Sequence, residues 1–232
     1  MLSSPESGPI SPGDPNSVNG PHSVGNLLAV YGSPRKGGNT SILLDYFLEG
    51  VAAGIRACGE PSGAGWNIER VYLRDLALSP CTECGRCRET GVCVIQDDMS
   101  GYYDKLLSFE RIVMAFPVFF LGPPAIAKAF IDRAQSLWIR KYVLGIKPEG
   151  PKSRRGQVGT VERKGFLISV GGFKGSGKIF DCNRSIVKAF FLSCGVKYAG
   201  ELLFPGVDRF GDIESVEGAA GMAREAGTHF AL

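Results

Sequence analysis

The sequence predicts an α/β protein in which a five-stranded parallel sheet is covered by helices on both faces. Three features lead there: five short apolar runs, segments of helical periodicity between them, and turn residues at the junctions. The first run, Asn26 to Tyr31, is continuously apolar after Asn26, as a strand buried on both faces requires. From Asn39 the spacing becomes helical, with Leu43, Leu44, Phe47, Leu48, Val51 and Ile55 on one stripe and Asn39 or Thr40 placed to cap it. Trp66 to Leu73 reads as the second strand. Asp98 is placed to cap a short helix from Met99, and Arg111 to Phe116 forms the third strand, closed by Pro117. A helix follows over Pro124 to Arg140, a strand over Phe166 to Val170, and a helix over Ile179 to Cys194. Tyr198 to Phe204 is the fifth strand and Glu214 to Ala226 the closing helix. Ligands of such sheets bind beyond the carboxyl ends of the strands, so the turns after strands one, three and four matter most.

The 232 residues, 44% hydrophobic and 21% charged, suffice for one packed domain, expected over 26–232. Seventeen of the first 25 residues are Ser, Pro, Gly or Asn, the composition of a disordered tail. That segment lacks the basic start and apolar stretch of a secretory signal, and no run of about eighteen apolar residues suits a membrane span. A cytoplasmic location is expected. Histidine is confined to His22 and His229, which removes His-based triads, His-ligated metal and an imidazole base. Between Arg140 and Lys164 eight basic residues face only Glu149 and Glu162. Such a segment is a solvated surface or a landing site for an acidic electron donor or a nucleotide phosphate. Without interleaved aromatics, nucleic acid is not the expected partner.

The turn Gly32 to Ser41, GSPRKGGNTS, lies between a buried strand and a helix start. Backbone amides and the helix dipole favour an anion there, small residues let it approach, and Ser33, Thr40, Ser41 and Arg35 add donors. It is not a nucleoside-triphosphate loop, because Gly38 stands where the phosphate lysine belongs.

Four of the seven cysteines (Cys81, Cys84, Cys87 and Cys93) fall within thirteen residues, spaced C-x2-C-x2-C-x5-C. In a reducing compartment such a cluster points to metal rather than disulfides. Three thiolates at two-residue gaps can wrap one cubane and a fourth reaches back after Gly91, as in ferredoxin runs. Zinc sites more often join two separated C-x2-C pairs. The alternatives are zinc and unmetallated, redox-active thiols. Cys58, Cys182 and Cys194 sit in helical apolar patterns and read as small core residues, and Asp97 and Asp98 as caps.

The chain resembles the NADPH-dependent FMN reductase branch of flavodoxin-like proteins, and most closely the iron-sulfur flavoproteins within it, over roughly 26 to 226. The family's first turn, S-x-R-x-x-S-N-T, is matched by Ser33, Arg35, Asn39 and Thr40, with Gly38 in place of the serine. The resemblance implies that this turn holds the phosphate of FMN. It implies too that Pro117, Val118, Phe119, Phe120, Leu121 and Gly122, in PVFFLG, border the isoalloxazine, with Phe119 where the family has tyrosine. Gly171 and Gly172, in VGGFKGSG, would meet its other edge. Further implications are the sheet order 2-1-3-4-5, a [4Fe-4S] cluster on the four cysteines, NAD(P)H or ferredoxin as electron donor, and a homodimer or homotetramer. FMN and a cluster together would convert between two-electron and one-electron transfer, which needs no catalytic side chain, and none is assigned. Two other readings stand beside this one: an NAD(P)H-dependent FMN or quinone reductase without a cluster, and an electron carrier between protein partners.

Overall fold

A computed structural model of the protein describes residues 25–57, 66–147, 162–175 and 177–232. Residues 1–24 of the expected tail, Cys58, and Lys152, Arg154 and Arg155 of the basic segment lie outside the described residues. Gly25 already belongs to the sheet. The elements in order are β1 (Gly25–Tyr31), α1 (Asn39–Ala57), β2 (Trp66–Tyr72), α2 (Cys87–Thr90), α3 (Tyr103–Ser108), β3 (Arg111–Ala115), α4 (Ala125–Asp132), α5 (Gln135–Trp138), β4 (Lys164–Gly171), α6 (Asp181–Cys194), β5 (Lys197–Pro205) and α7 (Ala219–Ala231).

All strand pairs are parallel and the order is β2-β1-β3-β4-β5, the flavodoxin-like arrangement expected from the sequence. Alternation along the central strands divides the core in two. Leu27, Ala29, Tyr31, Val113, Ala115, Ile168 and Val170 face α1 and α7. Leu28, Val30, Ile112, Met114, Phe116 and Leu167 face α4 and α6. Burial on both faces explains why these strands are continuously apolar. On the first face α1 and α7 meet backbone to backbone, since a Cβ on Gly50 would sit 1.9 Å from the Arg224 carbonyl oxygen. Among the described residues no helix is long and apolar enough to cross a membrane.

Three elements differ from the sequence expectation. The helix expected over 124–140 is pinched: the Ala134 amide bonds back three residues to Ile131, and α4 ends at Asp132 before α5 begins. The break falls at Arg133, whose side chain is drawn inward and fully buried. Asp97, not Asp98, caps the turn 98–101, its Oδ1 accepting from the Met99 amide at 3.1 Å. The closing helix starts at Ala219, because 212–215 form a separate helical turn.

Candidate functional site

The crevice between the ends of β1 and β3 is the switch point at which the chain crosses from one side of β1 to the other. The Gly32 amide donates to the Ala115 carbonyl at 2.8 Å, joining the two strand ends. A Cβ on Gly32 would lie 3.0 Å from Phe116 Cβ, so glycine is needed for this approach.

Beyond that junction lies an open cleft. The first turn supplies one end of it, through Ser33, Arg35, Gly38, Asn39 and Thr40. Helical bonding begins at Gly38, whose carbonyl accepts from the Ser41 and Ile42 amides. The amides of Asn39 and Thr40 therefore have no acceptor within the helix, and they carry the positive end of its dipole. Ser33 Oγ accepts from the Arg35 amide at 3.2 Å and is buried. Ser41 Oγ is buried with no hydrogen-bond partner among the described residues. A Cβ on Gly38 would press to 3.2 Å from Ser33 Oγ, so glycine here leaves open the corner that the family fills with serine. These groups suit a phosphate: several donors, a cation, and no carboxylate on the first turn.

The opposite walls are Pro117, Val118 and Phe119 after β3 and Val170, Gly171 and Gly172 at the end of β4. They are fastened together. The Val118 amide donates to the Val170 carbonyl at 2.8 Å, and buried Ser169 donates to the Phe116 carbonyl at 2.7 Å. Asn183 Nδ2 donates to Ser169 Oγ at 3.1 Å from α6. Phe120, Leu121 and Gly122 stand outside these walls. The chain folds back there through mutual Phe119–Gly122 backbone bonds, with Phe120 and Leu121 in the left-handed region at φ 49° and 64° and both exposed. Two bulky residues in that conformation are costly, of order 1–3 kcal/mol each.

A fourth segment escaped the sequence reading. Val207, Asp208 and Phe210, after β5, complete the cleft. Asn39 holds this segment in place, donating from Nδ2 to the Arg209 carbonyl at 2.8 Å while its Oδ1 accepts from the Ile213 amide at 3.4 Å. Asp208 packs so closely on Gly172 that a Cβ there would meet its carboxylate at 2.9 Å. The only forewarning was the glycine pair itself, since one of two adjacent glycines often marks a close neighbour.

The cysteine loop leaves the carboxyl end of β2, and Cys81, Cys84, Cys87 and Cys93 all line one cavity. Val94, Ile95, Ile139 and Arg133 are among its other walls, with Glu83 and Arg88 adding charge. Left-handed backbone at Glu83, Gly85 and Gly91 turns the chain around it. Burial pushes the Cys87 thiol up; its own backbone hydrogen bond opposes this, and the Cys93, Cys81 and Cys84 thiols push it further up. Among the described residues no three Cys, His, Asp or Glu side chains converge closely enough to hold a single metal ion. Of the other cysteines, Cys194 is buried as expected, but Cys182 is exposed, because it lies in the first turn of α6 at the surface beside Gly122.

Comparison with known proteins gives the same picture. The family model described as NADPH-dependent FMN reductase matches residues 26–176. The chain is 30% identical over 152 residues to an iron-sulfur flavoprotein of Methanosarcina thermophila, covering 66% of each chain. It is 31% identical over 141 residues to iron-sulfur flavoprotein MJ1083 of Methanocaldococcus jannaschii, covering 59% of this chain and 68% of that one. The match thus spans about two thirds of either relative's length. Among solved structures, an FMN-dependent NADH-azoreductase of Bacillus anthracis in complex with FMN superposes with a TM-score of 0.58 at 16% identity, over 90% of this chain and 100% of that one. At that identity the likeness shows the fold. With the sequence match over 26–176 and the sheet order in agreement, the chain belongs to the NADPH-dependent FMN reductase family, a family of flavin-dependent oxidoreductases.

Proposed function

We propose that the protein passes electrons between FMN, held in the cleft beyond β1, β3 and β4, and a [4Fe-4S] cluster held by Cys81, Cys84, Cys87 and Cys93. The observation that carries this reading is the convergence of all four thiols on one cavity. Four thiols and no histidine form the donor set of such a cluster, and a cavity between them, rather than a single point of convergence, suits a multi-atom group better than one ion. FMN exchanges one or two electrons and the cluster one, so the pair would couple a two-electron to a one-electron partner.

The chain's own groups bind and orient. Ser33, Arg35 and the amides of Gly38, Asn39 and Thr40 would hold the phosphate. Pro117, Val118 and Phe119 on one side, with Gly171, Gly172 and Asp208 on the other, would clamp the ring. The open side of the cleft leaves room for NAD(P)H or another donor. A homodimer or homotetramer fits the exposed Val92, Val94, Trp138, Tyr142 and Val143, which lie around the cysteine cavity and the segment after α5. The basic residues near Arg140 fit an acidic protein partner.

A reductase without a cluster is the second reading, favoured by the absence, among the described residues, of any three ligating side chains gathered for one metal ion. Iron, acid-labile sulfide and flavin analysis of anaerobically purified protein separates the two. Iron and sulfide together with FMN support the electron-transfer reading; FMN alone, with steady NAD(P)H consumption, supports the other.

A further inference from the structure

We propose that Arg133 is the positioning residue of the cysteine loop: its guanidinium ties both stems of the loop together and so sets the four thiols around their cavity before any metal is bound. Ser79 lies two residues before Cys81, and Ile95 two residues after Cys93. Arg133 Nη1 donates to the Ser79 carbonyl at 3.0 Å, and Nη2 donates to the Ile95 carbonyl at 3.0 Å. One planar group therefore spans the mouth of the loop. Nη1 also donates to Asp97 Oδ2 at 2.6 Å, and the same oxygen accepts from the Ser79 amide at 2.8 Å. Asp98 Oδ2 accepts from the Ala77 amide at 2.7 Å, one step further down the stem.

The remaining nitrogen reaches a third segment. Nε donates to the Tyr103 hydroxyl at 3.3 Å, and that hydroxyl donates back to the Arg133 carbonyl at 3.3 Å. Asp97, Arg133 and Tyr103 thus form one connected group beside the cavity. Arg133 has no exposed side-chain surface and Asp97 very little, so the arrangement is an interior one and not a surface ion pair. Lysine cannot reproduce it, because the task needs three donor directions in one plane. The pinch that separates α4 from α5 is what brings the guanidinium to this place.

The loop-setting role stands on these contacts alone. A second part rests on the proposed cluster: a fixed cation in the wall of a cavity that its Asp97 partner does not line would favour the electron-richer state and raise the cluster's potential.

The test uses FMN-loaded protein, first stripped of iron and then reconstituted with ferrous iron and sulfide. Two variants are compared with the natural chain: Arg133→Lys, which keeps the charge but loses the fork, and the double variant Asp97→Asn/Arg133→Met, which leaves no buried charge unpaired. In iron-free protein, backbone amides of 79–96 should exchange at least tenfold faster in both variants, while amides of β1 and β3 and the FMN dissociation constant stay within twofold. Unchanged loop exchange in both variants would overturn the proposal, and so would faster exchange throughout the sheet. Should the natural chain take up no iron while the variants still loosen the loop, the cluster reading fails and the role of Arg133 stands. After reconstitution the double variant should have a more negative cluster potential than the natural chain. An equal potential would overturn the electrostatic part.

Discussion

The cleft beyond β1, β3 and β4 is shaped first by main chain, with Asn39 and Ser169 as side-chain fasteners, whereas the cysteine cavity beyond β2 is held by side chains. In the cleft, strand ends are bonded directly to one another through Gly32 with Ala115 and Val118 with Val170, and the sheet itself fixes the spacing of the walls. Among the described residues the cysteine loop pairs with no strand. Its stems are held by Arg133, Asp97 and Asp98, which bond to backbone groups at 77, 79 and 95. The difference teaches where each site is vulnerable: single side-chain changes other than at Asn39 or Ser169 should barely reshape the cleft, but one of them should undo the loop.

The largest expected effect is that of Arg133→Met. Removing one partner of a buried ion pair leaves the other charged and unpaired, at a cost of about 3–5 kcal/mol. Urea unfolding should report that loss in full. A midpoint close to that of the natural chain would mean that Asp97 finds other partners and that the loop is not held by this pair.

Next comes Arg35→Ala, which removes the cation of the phosphate end. A hydrogen bond to a charged group contributes about 1.5–3 kcal/mol, so FMN should bind roughly ten- to a hundredfold more weakly, with the fold unchanged. Fluorescence titration measures this. No change would place Arg35 in solvent.

A smaller effect is expected from pH. Burial alone would raise the Asp97 carboxyl, but the Arg133 bond and the Ser79 and Met99 amides outweigh it and hold the group below the usual range. A depressed folded value means that its stabilisation is complete above the ordinary unfolded value of about 3.9 and fades as pH falls through the folded one. Urea midpoints of the natural chain should therefore drop below about pH 4, and Asp97→Asn should flatten that part of the profile. An unflattened profile would assign the acid sensitivity to other carboxylates.

The smallest effect belongs to Phe120→Ser. Phe120 is exposed and stands outside the cleft walls, so FMN affinity should move by less than about 0.5 kcal/mol. A larger shift would extend the flavin site to the Phe119–Gly122 turn.

Much of the cleft was legible in the sequence because it is made by local patterns: a buried strand, a glycine-rich turn and a helix start are neighbours in the chain. The end of β3 was legible only to Phe119. Beyond it the chain turns back through Phe120 and Leu121, residues that carry no sign of left-handed backbone. Val207, Asp208 and Phe210 were missed because they come to the cleft through the strand order and the Asn39 clamp, across some 170 positions of sequence. Arg133 was hidden differently. In AIAKAFIDRAQSLW it reads as one more polar position on a continuous helix, and only its partners 36 and 38 residues away show that it is buried. Cys182 misled for the opposite reason, since an apolar helical pattern does not reveal that its first turn lies at the surface.

The most direct measurement is the cofactor content of the natural chain and of Cys84→Ser, each purified anaerobically and reconstituted, with oligomeric state recorded alongside. Sites built on separate segments behave almost additively, so the account predicts about four iron, about four sulfide and one FMN per natural chain, and FMN without iron or sulfide in the variant. Flavin-loaded natural protein that never takes up iron and sulfide would contradict it, and so would a Cys84→Ser protein with an undiminished cluster.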